Sequence, residues 1–376
     1  MARITSGGNP LGPDDPYRLD LSEENFNPLM DYLTENISPE FIEKHMVEAM
    51  VRPRGEAARA VFTEWDLTGE VMIPKTTWTD SAGIIWFAAD TLDDFGAVGR
   101  LDPRTGEVKV WPSTLPDPTF HDVLGDSEEN LWITASGANK IVKFDTTTYE
   151  YTIWDVPERF SRWAHTGDLD RDGNFWFTLE RGEGDVVKLD PQTGKMTRFP
   201  AATKHSDPYG LVIDDAGDIW FTELNGHKVG KIDRETGQMT ELDPPTPQAG
   251  PRRIQMDSQG KLWLTEFYAD KIARLDPATM AFTEYDTGVP GGFPYFILVD
   301  RNDQVWFNLL NGNTIGRFDP TTEQFTYFLF PQFETHSRNG SLDQSSDPVA
   351  IVYERAFLVQ RDYRPTIGRM YVRPAE

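Results

Sequence analysis

Six tryptophans, Trp86, Trp132, Trp176, Trp220, Trp263 and Trp306, recur along the chain with gaps of 46, 44, 44, 43 and 43 residues. A spacing this regular confines the chain to a repeat architecture. In such folds each unit of about 40–45 residues is one supersecondary element that buries its apolar faces against its neighbours. Residues that hold the same place in every unit are therefore structural. Residues that differ from unit to unit at one place are free to carry chemistry.

The unit around Trp220 reads as an apolar run, Gly210-Leu211-Val212-Ile213, followed by the turn Asp214-Asp215-Ala216-Gly217-Asp218. The tryptophan strand Ile219-Trp220-Phe221-Thr222-Glu223 comes next, then Lys228-Val229-Gly230-Lys231-Ile232-Asp233 and a last run Gln238-Met239-Thr240-Glu241-Leu242. Short runs of β-branched and aromatic residues between Asp/Gly turns are strands, and four antiparallel strands make one propeller blade. The C-terminal stretch supplies three strands, near Ala350–Tyr353, Ala356–Gln360 and Ile367–Val372, and lacks a fourth. The missing outer strand is expected at Ala60–Leu67, whose Ala-Val-Phe-Thr-Glu-Trp-Asp matches Ala281-Phe282-Thr283-Glu284-Tyr285-Asp286. Pairing the two ends predicts an all-β, seven-bladed β-propeller over residues 60–376 without open edges.

Residues 1–59 stand outside the repeat. Ser22–Leu33 and Pro39–Met50 are predicted as short helices, with Ser38 an N-cap. The expected role of this helical arm is packing on the propeller, a homodimer contact or a cap over the site. The net charge of −25 argues against a nucleic-acid or anionic-membrane partner, since both need excess Lys and Arg. The chain contains no cysteine, which excludes thiolate chemistry. No apolar run has transmembrane length, and Met1–Asp20 lacks the apolar core of a signal peptide, so a cytoplasmic location is expected.

Counting eleven residues back from each tryptophan reaches one point of every blade: Lys75, His121, His165, Tyr209, Arg252 and Tyr295, with Val349 suggested for the seventh by Asp347-Pro348. Inner strands of a propeller line its channel, so these side chains are expected to converge at one mouth. His205, His227 and His336 fall in loops expected on the same face. A ring of His, Tyr, Lys and Arg suits general acid–base work or anion binding; a water-filled polar channel is the other reading. Counting three forward from the tryptophans gives Ala89, Ala135, Leu179, Glu223, Glu266 and Leu309. Asp207, Glu223 and Glu266 are therefore candidate ligands for Mg²⁺, with Ca²⁺ or Mn²⁺ as alternatives, because hard cations prefer oxygen. The competing reading pairs Glu223 and Glu266 with Arg252 and Lys204 in a structural network.

The string Gly-Asp-Ile-Trp-Phe-Thr-Glu at Gly217–Glu223, followed by Lys228-Val229-Gly230-Lys231-Ile232-Asp233, resembles the repeats of the virginiamycin B lyase (streptogramin lyase) family. Related runs are Gly260–Glu266, Gly173–Leu179 and Asn130–Ala135, so the likeness covers about Glu70 to Tyr327. The resemblance implies a seven-bladed propeller that opens a cyclic depsipeptide at its ester by Mg²⁺-assisted elimination. In that family an acidic metal ligand stands two residues before a catalytic histidine, and a second acidic ligand stands fourteen after it. A substrate-binding histidine lies one blade earlier. Asp207, Glu223 and His165 match that spacing here, while Tyr209 occupies the catalytic histidine's place.

These readings lead to a lyase-like enzyme acting on a small anionic or ester- or lactone-bearing molecule at the channel mouth. Tyr209 or His165 would remove a proton, and His121, Arg252, Tyr295 and Lys75 would bind substrate. A metal-dependent hydrolase or lactonase on the same ring and a non-catalytic binding propeller are the alternatives. A four-histidine iron site is a further one, drawn from His121, His165, His205, His227 and His336. The loop Phe330–Ser346 is expected over the mouth as a lid or a simple connection.

Overall fold

The structure, a computed structural model, describes residues 53–375 except 117–118, 332–336 and 356–363. The chain divides into two compact units, Met1–Pro53 and Arg54–Glu376. The helices expected at Ser22–Leu33 and Pro39–Met50 lie outside the described residues. Among the described residues the helical element is one 3₁₀ turn, Gly55–Arg59. It belongs with the second unit, because Glu56 pairs with Arg317 at 2.6 Å and Arg59 accepts a backbone bond from Arg373. Among the described residues no helix is long and apolar enough to cross a membrane.

Seven four-stranded antiparallel sheets follow one another as blades. Blade four, from the inside outward, is Pro208–Ile213, Ile219–Glu223, Lys228–Ile232 and Met239–Leu242. The inner strand of each blade packs on the inner strand of the next, and that of blade seven packs on that of blade one, closing the ring. The closure expected from the sequence is present: Ala60–Asp66 pairs along Thr366–Val372, from Ala60 opposite Val372 to Asp66 opposite Thr366.

The remainder of blade seven differs from the sequence reading. Its inner strand is Gly340–Asp343, paired with Ala350–Arg355, and it lies within the stretch expected to be a loop. The strand expected at Ala356–Gln360 falls on residues outside the described set. Gly-Ser-Leu-Asp is short and polar, so it carries no alternating apolar signal of its own. It enters the sheet because Leu342 packs with Phe296, Ile351 and Tyr353.

The tryptophans recur because each closes a local unit. The indole N–H donates to an aspartate six residues earlier in all six blades, at 2.8–3.2 Å, from Trp86 to Asp80 through Trp306 to Asp300. The other oxygen of that aspartate accepts backbone N–H groups of the turn, as Asp214 does from Ala216 and Asp218. One side chain thus caps the turn and fixes the indole in register. In blade four the third-strand glycine, Gly230, leaves room for the Phe221 ring, which a Cβ there would strike. Gly368 and Tyr353 repeat that relation in blade seven, so Tyr353 holds the place of Phe221 and Val352 that of the tryptophan. Between blades three and four, Trp176, Val186, Leu211, Ile219, Phe221 and Ile232 form one buried cluster, and equivalent clusters fill the other gaps.

Candidate active site at the channel mouth

The ring residues sit on a bulge. In blade four Pro208 faces Glu223 and Leu211 faces Phe221, so Tyr209 and Gly210 together oppose Thr222. The same shift occurs at the inner strands of the other five tryptophan blades. A bulge re-aims side chains and bends its strand. In blade five it lets two consecutive residues, Arg252 and Arg253, make contacts to other blades. Arg252 of blade five reaches Tyr209 and Tyr295, and its neighbour Arg253 crosses to Thr166 Oγ1 at 2.7 Å and Asn339 Oδ1 at 2.5 Å.

In blades two to six the bulge is held by the residue two after the tryptophan. Thr222 Oγ1 accepts the N–H of Gly210 at 2.8 Å and donates to the Arg252 carbonyl of the next blade at 2.6 Å. Thr134, Thr178 and Thr265 make the same donation to the carbonyls of His165, Tyr209 and Tyr295. Asn308 and Glu354 replace threonine in blades six and seven. Glu354 accepts the N–H groups of Arg338 and Asn339 where Thr222 accepts that of Gly210. The seventh ring residue is therefore Arg338. Val349 instead precedes the second strand, because the inner strand is Gly340–Asp343.

The ring is then Lys75, His121, His165, Tyr209, Arg252, Tyr295 and Arg338, and most of it is in mutual contact. The rings of His121 and His165 lie 4.2 Å apart, and those of His165 and Tyr209 lie 3.8 Å apart. Arg252 Nη2 donates to Tyr209 Oη at 2.6 Å and Tyr295 Oη at 2.8 Å, and the two phenol oxygens are 2.7 Å apart. Phe267 lies 4.5 Å from the same guanidinium. His165 is 1% exposed, with Nδ1 3.0 Å from Thr166 Oγ1 and Nε2 4.0 Å from Glu180 Oε2. Lys75 is held by Asp90 at 3.0 Å.

The electrostatics follow from burial beside cations. Burial, then the positive charges of Arg253, Lys75, Arg338 and Arg252, hold the His121 imidazole well below its ordinary range. Burial, then His121 and the two arginines, do the same to His165. Both imidazoles are neutral at physiological pH. Burial and the neighbouring Glu180 push the Asp207 carboxyl up to about 7.

The three carboxylates expected to hold a metal do not converge. Asp207 lies by Glu180 and accepts from Asn225 Nδ2 at 2.6 Å. Glu223 is fully buried and is directed to Ser206, Gly226 and Glu241. Glu266 is fully buried beside Glu284 and Lys271. Burial, then Glu241 and Glu284 respectively, push both up to about 8. Strand alternation explains the placement. Thr222 and Thr265 face the following blade, so the next residue faces the preceding one. Their pairing with Arg252 and Lys204 is not seen: Arg252 is with the phenols, and Lys204 binds Glu183. Among the described residues no group of three His, Cys, Asp or Glu side chains is placed to hold a metal ion, so Asp207, Glu223 and Glu266 do not fit a joint Mg²⁺ site. His205 donates from Nδ1 to the Gly182 carbonyl in an exposed loop, and His227 packs by Tyr268. Neither joins His121 and His165, and His336 lies outside the described residues.

Sequence reasoning missed Arg253, Glu180 and Arg338. The first was within reach: counting ten rather than eleven back from Trp263 gives Arg253, the second residue of the bulge.

The virginiamycin B lyase family matches residues 164–336, which include His165, Tyr209, Arg252 and Tyr295. A streptogramin B lyase structure is 22% identical, with a TM-score of 0.75, covering 85% of this chain and 100% of its own. A virginiamycin B lyase from Staphylococcus aureus is 21% identical, with a TM-score of 0.73, covering 83% and 99%. A catalytically inactive variant of the S. aureus enzyme with quinupristin is similar at 20% identity and a TM-score of 0.72, covering 83% and 99%. The resemblance carried by the repeats therefore holds, and the structural likeness establishes the shared seven-bladed ring. No match was found among curated proteins.

Proposed function

We propose that the chain is a lyase that opens an ester-bearing molecule by proton abstraction and elimination at the channel mouth. The observation that carries this reading is the Arg252–Tyr209–Tyr295 cluster set against the neutral His165–His121 pair. Elimination from an ester develops negative charge on the carbon acid and on the departing carboxylate. A buried guanidinium with preset donors stabilises such charge more than water would. A base in the His165–Tyr209–Tyr295 run then takes the proton. The family match over residues 164–336 supports the same reaction class and makes streptogramin B-type cyclic depsipeptides the first substrates to try. Lys75, His121 and Arg338 complete the ring as binding groups. No step of this reading passes through a metal ion.

Incubating the full chain with such a depsipeptide and with simple esters and lactones in ¹⁸O-labelled water tests it. Elimination yields an opened, unsaturated product without the label. Label in the product would establish hydrolysis instead, and no opened product from any of these compounds would remove the enzymatic reading.

A further inference from the structure

The two phenols and the guanidinium are joined by three short hydrogen bonds. Among the described residues, Tyr209 Oη and Tyr295 Oη have each other and Arg252 Nη2 as hydrogen-bond partners. Arg252 supplies one proton to each oxygen, and the short contact between the oxygens takes one more. A guanidinium that donates to both oxygens at once favours negative charge on one of them, because a hydrogen bond from a cation stabilises the ionised form. The arrangement suits one ionised phenol accepting from the hydroxyl of the other.

The surroundings decide which one. The Arg252 guanidinium lies 3.9 Å from the Tyr295 ring centre and 4.3 Å from that of Tyr209. Tyr295 faces Arg252, Arg338 and Arg253 together with the Tyr209 hydroxyl. Tyr209 faces Arg252 and Arg253 too, but its ring packs on neutral His165 and it also faces the Glu180 carboxylate. We propose that Tyr295 is the proton acceptor of the mouth, with Tyr209 as its hydrogen-bond donor and Arg252 as its counter-cation. The titration behaviour agrees. Burial raises both phenols; at Tyr295 the cations Arg252 and Arg338 and the bond from Tyr209 outweigh it, whereas Tyr209 stays raised.

For the chemistry this inference rests on the elimination reading. Tyr295 Oη takes a proton from the carbon beside the ester-bearing carbon, and the C–H electron pair becomes a C=C bond. The C–O bond breaks, and its pair leaves on the carboxylate oxygen. Tyr209 keeps its own proton throughout.

The test is a tyrosinate absorbance titration of the full chain, without substrate, beside Y295F and Y209F. Each variant removes one oxygen, and near-ultraviolet circular dichroism verifies the fold. The wild type is expected to show one tyrosine ionising below the ordinary value of about 10. That transition disappears in Y295F and persists, moved upward, in Y209F. No early transition in the wild type, or its survival in Y295F, overturns the proposal. Turnover is read separately, with a loss of about 100-fold or more expected in Y295F. An early tyrosinate without ester opening sinks the lyase reading and leaves the assignment of the ionised phenol. Ester opening at an unchanged rate in Y295F sinks Tyr295 as the proton acceptor and leaves the lyase reading.

Discussion

The Thr222 hydroxyl donates to the Arg252 carbonyl at 2.6 Å, so the second strand of blade four fixes the residue that both phenols share. Thr222 also takes the Gly210 N–H, which leaves no freedom at the bulge. Replacing Thr222 with Val keeps the shape and removes both bonds. A loss of about 1–3 kcal/mol is expected from the unsatisfied carbonyl and amide. Chemical denaturation measures it. The early tyrosine ionisation of the wild type should move upward with it as Arg252 loosens; a stability change with an unmoved ionisation would separate the threonine collar from the site.

His165→Ala removes the ring that packs on Tyr209. Turnover on the opened ester is expected to fall about 100-fold while far-ultraviolet circular dichroism stays that of the wild type. An unchanged rate would take His165 out of the mechanism.

The neutral histidines give the fold an acid limit. His121 and His165 are depressed by burial first and by neighbouring cations second. Their contribution is present above the unfolded value of about 6.5 and is lost as pH falls towards their folded values. Stability is thus expected to decline below about pH 6.5. H121N, which cannot charge, should show a flatter curve there when melting temperature is followed from pH 8 to 4.

Glu223 has the opposite sign. Its carboxyl is raised from 4.5 to about 8, by burial and then by Glu241. A raised acid stabilises below its unfolded value and loses that contribution as pH rises to its folded value. Glu223→Gln should therefore gain several degrees in melting temperature over the wild type between about pH 4.5 and 8, and little below. Because this carboxyl is directed to Ser206, Gly226 and Glu241, any shift that added Mg²⁺ causes in the wild type should survive in E223Q. Its disappearance in the variant would return Glu223 to the metal.

Asp214 tests the repeat itself. It accepts from Trp220 Nε1 at 2.8 Å and from two turn amides. Asp214→Ala should cost about 2–4 kcal/mol, several bonds of about 1 kcal/mol each with buried donors left unpaired, and should leave the tyrosine titration as in the wild type.

The tryptophan period, the Asp/Gly turns and the match of Ala60–Asp66 to an outer strand determined the seven-bladed ring and its closure without reference to the structure. Those signals are local, since an indole and its aspartate six residues earlier make one unit that every blade repeats. The same count brought His121, His165, Tyr209, Arg252 and Tyr295 to one level, because equal positions in equal repeats meet at one radius. What the tertiary structure decided lay where the repeat fails or where contacts cross the channel. Gly340–Asp343 is too short and polar to announce a strand, and so Arg338 was hidden behind Val349. The direction of Glu223 and Glu266 depends on the pleat beyond the bulge, which the spacing of fourteen residues cannot register. Which phenol holds the proton is set by Arg338 from blade seven and Glu180 from blade three, charges distant in sequence that act only once the ring has closed.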